Sequence, residues 1–421
     1  MAAMRRIPAR IRRTTARVIS GTAVLSVAAV LAACGADDET APAADNLDEP
    51  DDGRTEVDAP QPRLIVATET GVVVVDAGDG SILGSFETDI RPSPAVAGDG
   101  RHVFLVQTDA DVTQVLDAGS WASEHGDHSH YYIVEPTLRD LRIDGDRPVH
   151  VVSHDEHTAI FNDGDGTATV FRDAGLLIDS IDSTTIDSGV PHHGVVVPLD
   201  SGAVVSIPPP PGDDTLPTGV ILLDEGGAEI ERFDDCPGLH GETTLHDVVV
   251  FACADGVLLV DGTGATKVDY PSEDGRIGSF TPGPAEDHLV GNFTATSLLA
   301  VDVEGATTHE ITVDAPYAAR ALDEHGDLVV LTTDGTLYVV DPADGDVESS
   351  VPDVLAPFEI PEDWQEPRPT ITVVGHTAFV ADPATSKVTP VDLEDGLVGD
   401  PVEIDGVPTA IVSVGAGDHH H

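Results

Sequence analysis

A chain of 421 residues with 76 acidic against 20 basic side chains, whose lysines are Lys267 and Lys387, has no basic face for a nucleic-acid backbone. Its formal charge of −56 favours cations or a salty medium, and charge alone does not identify a metal site. The length accommodates two ordinary domains or one repeat architecture.

Arg5, Arg6, Arg10, Arg12, Arg13 and Arg17 precede an apolar run from Val18 to Leu31, which ends in Leu31-Ala32-Ala33-Cys34-Gly35. That layout predicts a secretory signal peptide over residues 1–33. The Leu-Ala-Ala-Cys ending resembles a bacterial lipobox, which makes Cys34 the lipidated first residue of the mature chain. The run falls short of the about 20 residues that a spanning helix needs. Residues 34–62 are rich in Asp, Glu, Ala and Pro and predict a disordered acidic linker, with a reach of about 90 Å when extended. The chain is therefore expected outside the cytoplasm. Its place is the outer face of the cytoplasmic membrane through the Cys34 lipid alone, or the periplasm or cell wall.

From residue 63 to 415 the chain reads as short apolar runs separated by Asp-Gly, Gly-Asp and Pro turns, with almost no helical periodicity. The fold class is all-β. A strand, a turn and a second strand ending in Val-Asp recur as Thr68–Asp76, Cys253–Asp261 and Thr333–Asp341, with a degenerate copy at Asp382–Asp392. Units begin near Ser93, Arg147, Val190, Gly238, Gly278, Tyr317 and Arg368, with a partial one at Arg63. A spacing of about 40–50 residues with some four strands per unit predicts a single β-propeller with four-stranded antiparallel blades. Eight blades are expected, with seven as the alternative because the unit over 278–315 is short. The partial first unit lacks an innermost strand, which the run Pro408–Val414 is expected to supply. Residues 416–421 form a tail, and His419-His420-His421 are set aside as a tag-like run.

The histidines carry the chemistry. His150 lies in the first strand of a unit, His193 begins the next and His240 the one after, so three successive blades aim imidazoles at one channel mouth. Three histidines with a water or a fourth residue make a four-coordinate zinc arrangement. Glu242, His192 and His154 are candidates for a further ligand, and Asp155 and Glu156 for oxygen acceptors behind the imidazoles. His125, His128 and His130 sit with Glu124 and Asp127 in a polar stretch that reads as a mobile loop. His102, His157, His246, His288, His325 and His376 read as blade-edge or turn residues. Cys236 and Cys253 remain after Cys34, and outside the cytoplasm such a pair predicts a disulfide.

Glu124–Tyr132, Arg147-Pro148-Val149-His150-Val151-Val152, Pro191-His192-His193-Gly194-Val195 and Cys236-Pro237-Gly238-Leu239-His240-Gly241-Glu242 together resemble the AztD-type zinc metallochaperones, over most of residues 63–415. The resemblance implies an exported propeller that binds Zn(II) and delivers it to the solute-binding protein of a zinc ABC importer. By motif match it assigns the channel-mouth site to His150, His193 and His240, and the flexible His-rich loop to His125, His128 and His130. It implies no enzymatic activity. Two other functions fit the same residues. One is a metal-dependent propeller hydrolase or lactonase, with Glu242 as base. The other is a metal-independent protein-interaction scaffold with an acidic rim.

Overall fold

The computed structural model describes residues 53–125, 128–212, 216–262, 264–285 and 287–416. The leader over 1–33, the lipidation site Cys34, most of the linker and residues 419–421 lie outside the described residues.

The apolar runs form strands because both of their faces are covered. Arg63–Thr68 is buried at every position and Gly71–Asp76 at all but the last. Continuous β-branched runs of this kind suit a sheet packed on both sides. Among the described residues the strands assemble into eight antiparallel blades. Blade 1 joins Pro408–Val414 to Arg63–Thr68, Gly71–Asp76 and Ile82–Glu87, so the C-terminal run closes the ring on the N-terminal one. Blades 2, 3, 4 and 5 have Ser93–Val96, Pro148–His154, Val196–Leu199 and Glu242–Leu245 as their innermost strands. Blade 6 has three strands, His288–Asn292, Ser297–Asp302 and Thr307–Thr312, and the bridge Phe280–Gly291 stands where an inner strand would. That rudiment accounts for the short sequence unit there. Blades 7 and 8 begin with Tyr317–Leu322 and Thr370–Val374.

The innermost strands of neighbouring blades touch, as Tyr317–Leu322 does Thr370–Val374, and Thr370–Val374 does Pro408–Val414. The core lies between blades. Ile65, Val72 and Val74 of blade 1 pack with Val103, Leu105 and Leu116 of blade 2, and Val197 and Val204 of blade 4 pack with Val249 and Phe251 of blade 5.

The histidine-rich stretch differs from its expected form. Ser120–His125 and His128–Ile133 are strands of a hairpin inserted between the third and fourth strands of blade 2, with His125 opposite His128. Residues 126 and 127 at its tip lie outside the described residues. Thr55–Val57, expected within the disordered linker, forms a third strand on this hairpin, with Thr55 opposite Ile133 and Val57 opposite Tyr131. The long-range backbone pairing supplies what the polar sequence lacks: every second residue of the hairpin, Trp121 with its partner Tyr132, then His130 and His128, falls on one face.

Candidate metal centre at the channel mouth

His150 is the third residue of the blade 3 inner strand, while His193 and His240 stand just ahead of the inner strands of blades 4 and 5. The same end of three successive strands therefore carries one imidazole each. The ring centroids are 4.7 Å apart for His150 and His193, 5.2 Å for His193 and His240, and 6.4 Å for His150 and His240.

Each ring is held at Nδ1 by an oxygen that can only accept. His150 Nδ1 donates to Glu242 Oε1 at 2.9 Å, His193 Nδ1 to Asp163 Oδ2 at 2.7 Å, and His240 Nδ1 to the Gly278 carbonyl at 2.7 Å. An acceptor there places the proton on Nδ1 and leaves Nε2 with a free lone pair when the ring is neutral. The Nε2 atoms of His150 and His193 lie 3.1 Å apart. Two nitrogens bound at 2.0–2.1 Å in a tetrahedral zinc site would be about 3.3 Å apart. The triad is still open towards His240, whose ring is the farthest from that of His150.

Burial would push the Glu242 carboxyl up, but the charge and hydrogen bond of His150 outweigh it and hold the group below the usual carboxylate range. His150 is raised in turn: burial lowers it, and the charge and hydrogen bond of Glu242 overcome that. Burial lowers His240, against the bond from its ring to Gly278. Asp163 Oδ1 is buried and has no hydrogen-bond partner among the described residues. Two carboxylates behind three neutral imidazoles balance the charge of one divalent cation.

The segment that delivers His240 and Glu242 is pinned at both ends. Cys236 and Cys253 are joined in a disulfide. Between them the His240 N–H donates to the Ala252 carbonyl and the Ala252 N–H to the Gly241 carbonyl, both at 2.9 Å. Gly241 has φ +103°, and a Cβ there would lie 3.0 Å from the Gly278 oxygen that receives the His240 ring. A glycine is needed to turn the chain between ligand and carboxylate at this close approach.

The other expected ligands lie elsewhere. Glu242 faces His150 Nδ1, on the side of the ring away from the shared Nε2 point. His192 turns into the core, with Nδ1 on the Val190 carbonyl at 2.9 Å, Nε2 at 3.2 Å from Ser206 Oγ, and its ring against Phe161. With His192 spent in the core, His193 is the one of the pair whose ring meets His150. His154 is at the far end of the His150 strand, about 13 Å along at 3.2–3.4 Å per residue. It bonds the Pro198 carbonyl at 3.1 Å. Asp155 accepts the Asp200 N–H there at 2.9 Å, so it does not back the channel imidazoles. Glu156 adjoins it, in the turn that ends with His157. Their expected role falls to Asp163 and the Gly278 carbonyl. Asp163 follows Asn162, the cross-strand partner of Pro148, and this register is the signal that places it beside the His150 strand.

His128 and His130 sit on the hairpin, their rings 4.9 Å apart, with His130 Nδ1 donating to Glu56 Oε1 at 2.6 Å. His125 belongs to the same hairpin, and its side chain lies outside what is described.

Fold and site together define an all-β propeller that gathers three imidazoles and two carboxylates at one end of its channel. No protein-family model matches the chain. It is similar to the zinc chaperone AztD of Citrobacter koseri, with 29% identity over 381 residues, 85% of this chain and 89% of that one. The crystal structure of Citrobacter koseri AztD matches with a TM-score of 0.80 at 28% identity, over 86% of this chain and 100% of that chain. Dihydro-heme d1 dehydrogenase NirN matches with a TM-score of 0.58 at 12% identity, over 85% of this chain and 76% of that one, a likeness of fold alone. The chain is a homologue of the zinc chaperone AztD.

Proposed function

We propose that this chain is an extracytoplasmic zinc metallochaperone that takes up Zn(II) through His150, His193 and His240 and passes it to the solute-binding protein of a zinc ABC importer. The observation that carries the reading is that rings from three successive blades lie side by side, each tied at Nδ1 to an oxygen acceptor on a different blade. Such a set needs no folding step to bind, and it can give up its cargo one imidazole at a time. Because His150 is biased towards its protonated form by Glu242, an arriving ion displaces a proton. The hairpin carrying His125, His128 and His130 is the second set of ligands in this reading, an outlying donor set for capture or hand-over. The partner is carried over from the function of AztD-type proteins. Zinc, rather than copper or nickel, rests on the name of the homologue, since histidine sites accept all three.

We assign no catalytic residue. Glu242, the base that a hydrolase would need, is engaged by His150. Export rests on the leader over residues 1–33 and anchoring on Cys34. Loss of fatty-acid labelling in Cys34→Ala cells tests the anchor.

The deciding experiment is a zinc titration of the metal-free protein beside a His150→Ala, His193→Ala, His240→Ala variant, both with His419, His420 and His421 replaced by alanine. Submicromolar binding that the variant loses, followed by transfer to a metal-free zinc-importer solute-binding protein, is the expected outcome. Equal binding by both proteins moves the cargo site away from the channel mouth, and no binding by either overturns the carrier reading.

A further inference from the structure

At the opposite end of the inner strands a different set of ligand atoms converges. His325 lies in the turn after the blade 7 inner strand Tyr317–Leu322, and His376 in the turn after the blade 8 inner strand Thr370–Val374. The channel triad stands at the beginnings of such strands, and these two histidines follow their ends. Glu324 lies between them. Its Oε1 is 3.8 Å from His325 Nε2 and 3.5 Å from His376 Nε2. Glu394, from a third turn, brings Oε1 to 3.9 Å from the same His376 nitrogen.

Glu324, His325 and His376 form the one cluster among the described residues whose three ligand atoms all lie within 4.8 Å of one another. The spacing is informative. At 3.5–3.9 Å these contacts are too long for hydrogen bonds, and neither imidazole makes one among the described residues. The two Glu324 contacts are within about half an ångström of the about 3.3 Å of a closed tetrahedral set, and the two imidazole nitrogens lie within 4.8 Å of each other. The main chain beneath is fixed. Asp323, 6% exposed, accepts the N–H groups of His325 and Asp327 at 2.9 Å each, and the His376 carbonyl accepts the Leu393 N–H at 2.9 Å. The side chains above are exposed and can close without moving a blade.

We propose that Glu324, His325 and His376, with Glu394 within reach, form a second binding site for a borderline divalent cation of the zinc class, bridging blades 7 and 8 at the channel end opposite the histidine triad. Two imidazoles and one or two carboxylates are a borderline donor set, unlike the all-oxygen sets that calcium and magnesium take. The exposure of every ligand makes it an open, readily exchanging site, and the acidic surface raises the local concentration of cations around it. The proposal stands independently of the carrier reading.

The test uses zinc as the probe and the full chain with His419, His420 and His421 replaced by alanine. Calorimetric titration compares this protein with its His325→Ala, His376→Ala variant, and repeats the pair in the His150→Ala, His193→Ala, His240→Ala background. Loss of a single zinc equivalent on replacing His325 and His376 in both backgrounds is the expected result, with a Glu324→Gln variant weakened and an unchanged melting temperature for the metal-free proteins. Unaltered stoichiometry and affinity in both backgrounds would overturn the site. If the channel replacements change nothing while these remove an equivalent, the carrier reading fails and this site stands.

Discussion

Glu242 and Asp163 would act on the candidate metal centre through the rings they hold. Acceptors that orient a ligating histidine are typically worth about 10–100-fold in metal affinity. Glu242→Gln and Asp163→Asn should therefore each weaken zinc binding by about that factor with the fold intact, read by competition against a chromogenic chelator. An unchanged affinity in both would mean that the imidazoles are oriented by packing alone. His192→Ala should do the reverse. It leaves the affinity unchanged and costs about 1–3 kcal/mol in a denaturant melt, because the buried Ser206 hydroxyl keeps the Val195 N–H but loses the acceptor for its own proton. The nearness of His150, His193 and His240 was legible in the sequence, since each falls close to the start of the inner strand in successive repeats. Asp163 was not, because its place follows from the pairing of Pro148 with Asn162 across two strands.

Single elements reach the site by different routes. The connection from Cys236 to Cys253 carries both the candidate ligand His240 and Glu242, the carboxylate that holds His150, and its disulfide spans 17 residues. Closing a loop of that size is worth about 3 kcal/mol. Cys236→Ala, Cys253→Ala should lose about that much in a chemical melt and bind zinc more weakly, with hydrogen exchange rising over residues 236–253. The pairing was legible from the two cysteines left after Cys34 in a chain whose leader reads as an export signal.

The hairpin was not legible as strands. Its residues are polar, and its third strand comes from a segment whose composition reads as a disordered spacer. Its base is held by a charge cluster. Asp117, 2% exposed, accepts Arg101 at 2.8 and 2.7 Å and Arg139 at 3.0 Å, and the Arg101 guanidinium stacks 3.7 Å over Trp121. Burial would raise the Asp117 carboxyl, but the hydrogen bond and charge of Arg101 hold it below its ordinary value. Its stabilisation is therefore full above the ordinary carboxylate pKa and is lost as pH falls through the lower folded value, under about pH 4. Asp117→Asn should cost about 3–5 kcal/mol near neutrality. It should also remove part of the acid-side slope in melts from pH 3 to 7. A slope equal to that of the wild type would mean that other carboxylates govern acid unfolding.

At the scale of the whole molecule, the ring was legible because Asp-Gly turns and Val-Asp strand ends repeat, and because the first unit lacks the strand that Pro408–Val414 supplies. The charge is a separate matter. A formal −56 on one chain sets most surface carboxylates against one another, and among the described residues Arg or Lys pairs such as Asp117 with Arg101 and Asp255 with Lys267 relieve only part of this. Self-repulsion of this kind destabilises a compact state, and salt screens it over a Debye length of about 10 Å at 0.1 M. The unfolded chain carries the same charges farther apart, so screening favours the folded ring. The melting temperature of the metal-free protein should rise steadily from 20 mM to 1 M sodium chloride. Zinc association should slow over the same range, because the field that draws cations to the acidic surface is screened by the same ions. A melting temperature that falls with salt would mean that favourable pairs such as Asp117 with Arg101 outweigh the repulsion, and that the acidic surface is not what limits stability at low ionic strength.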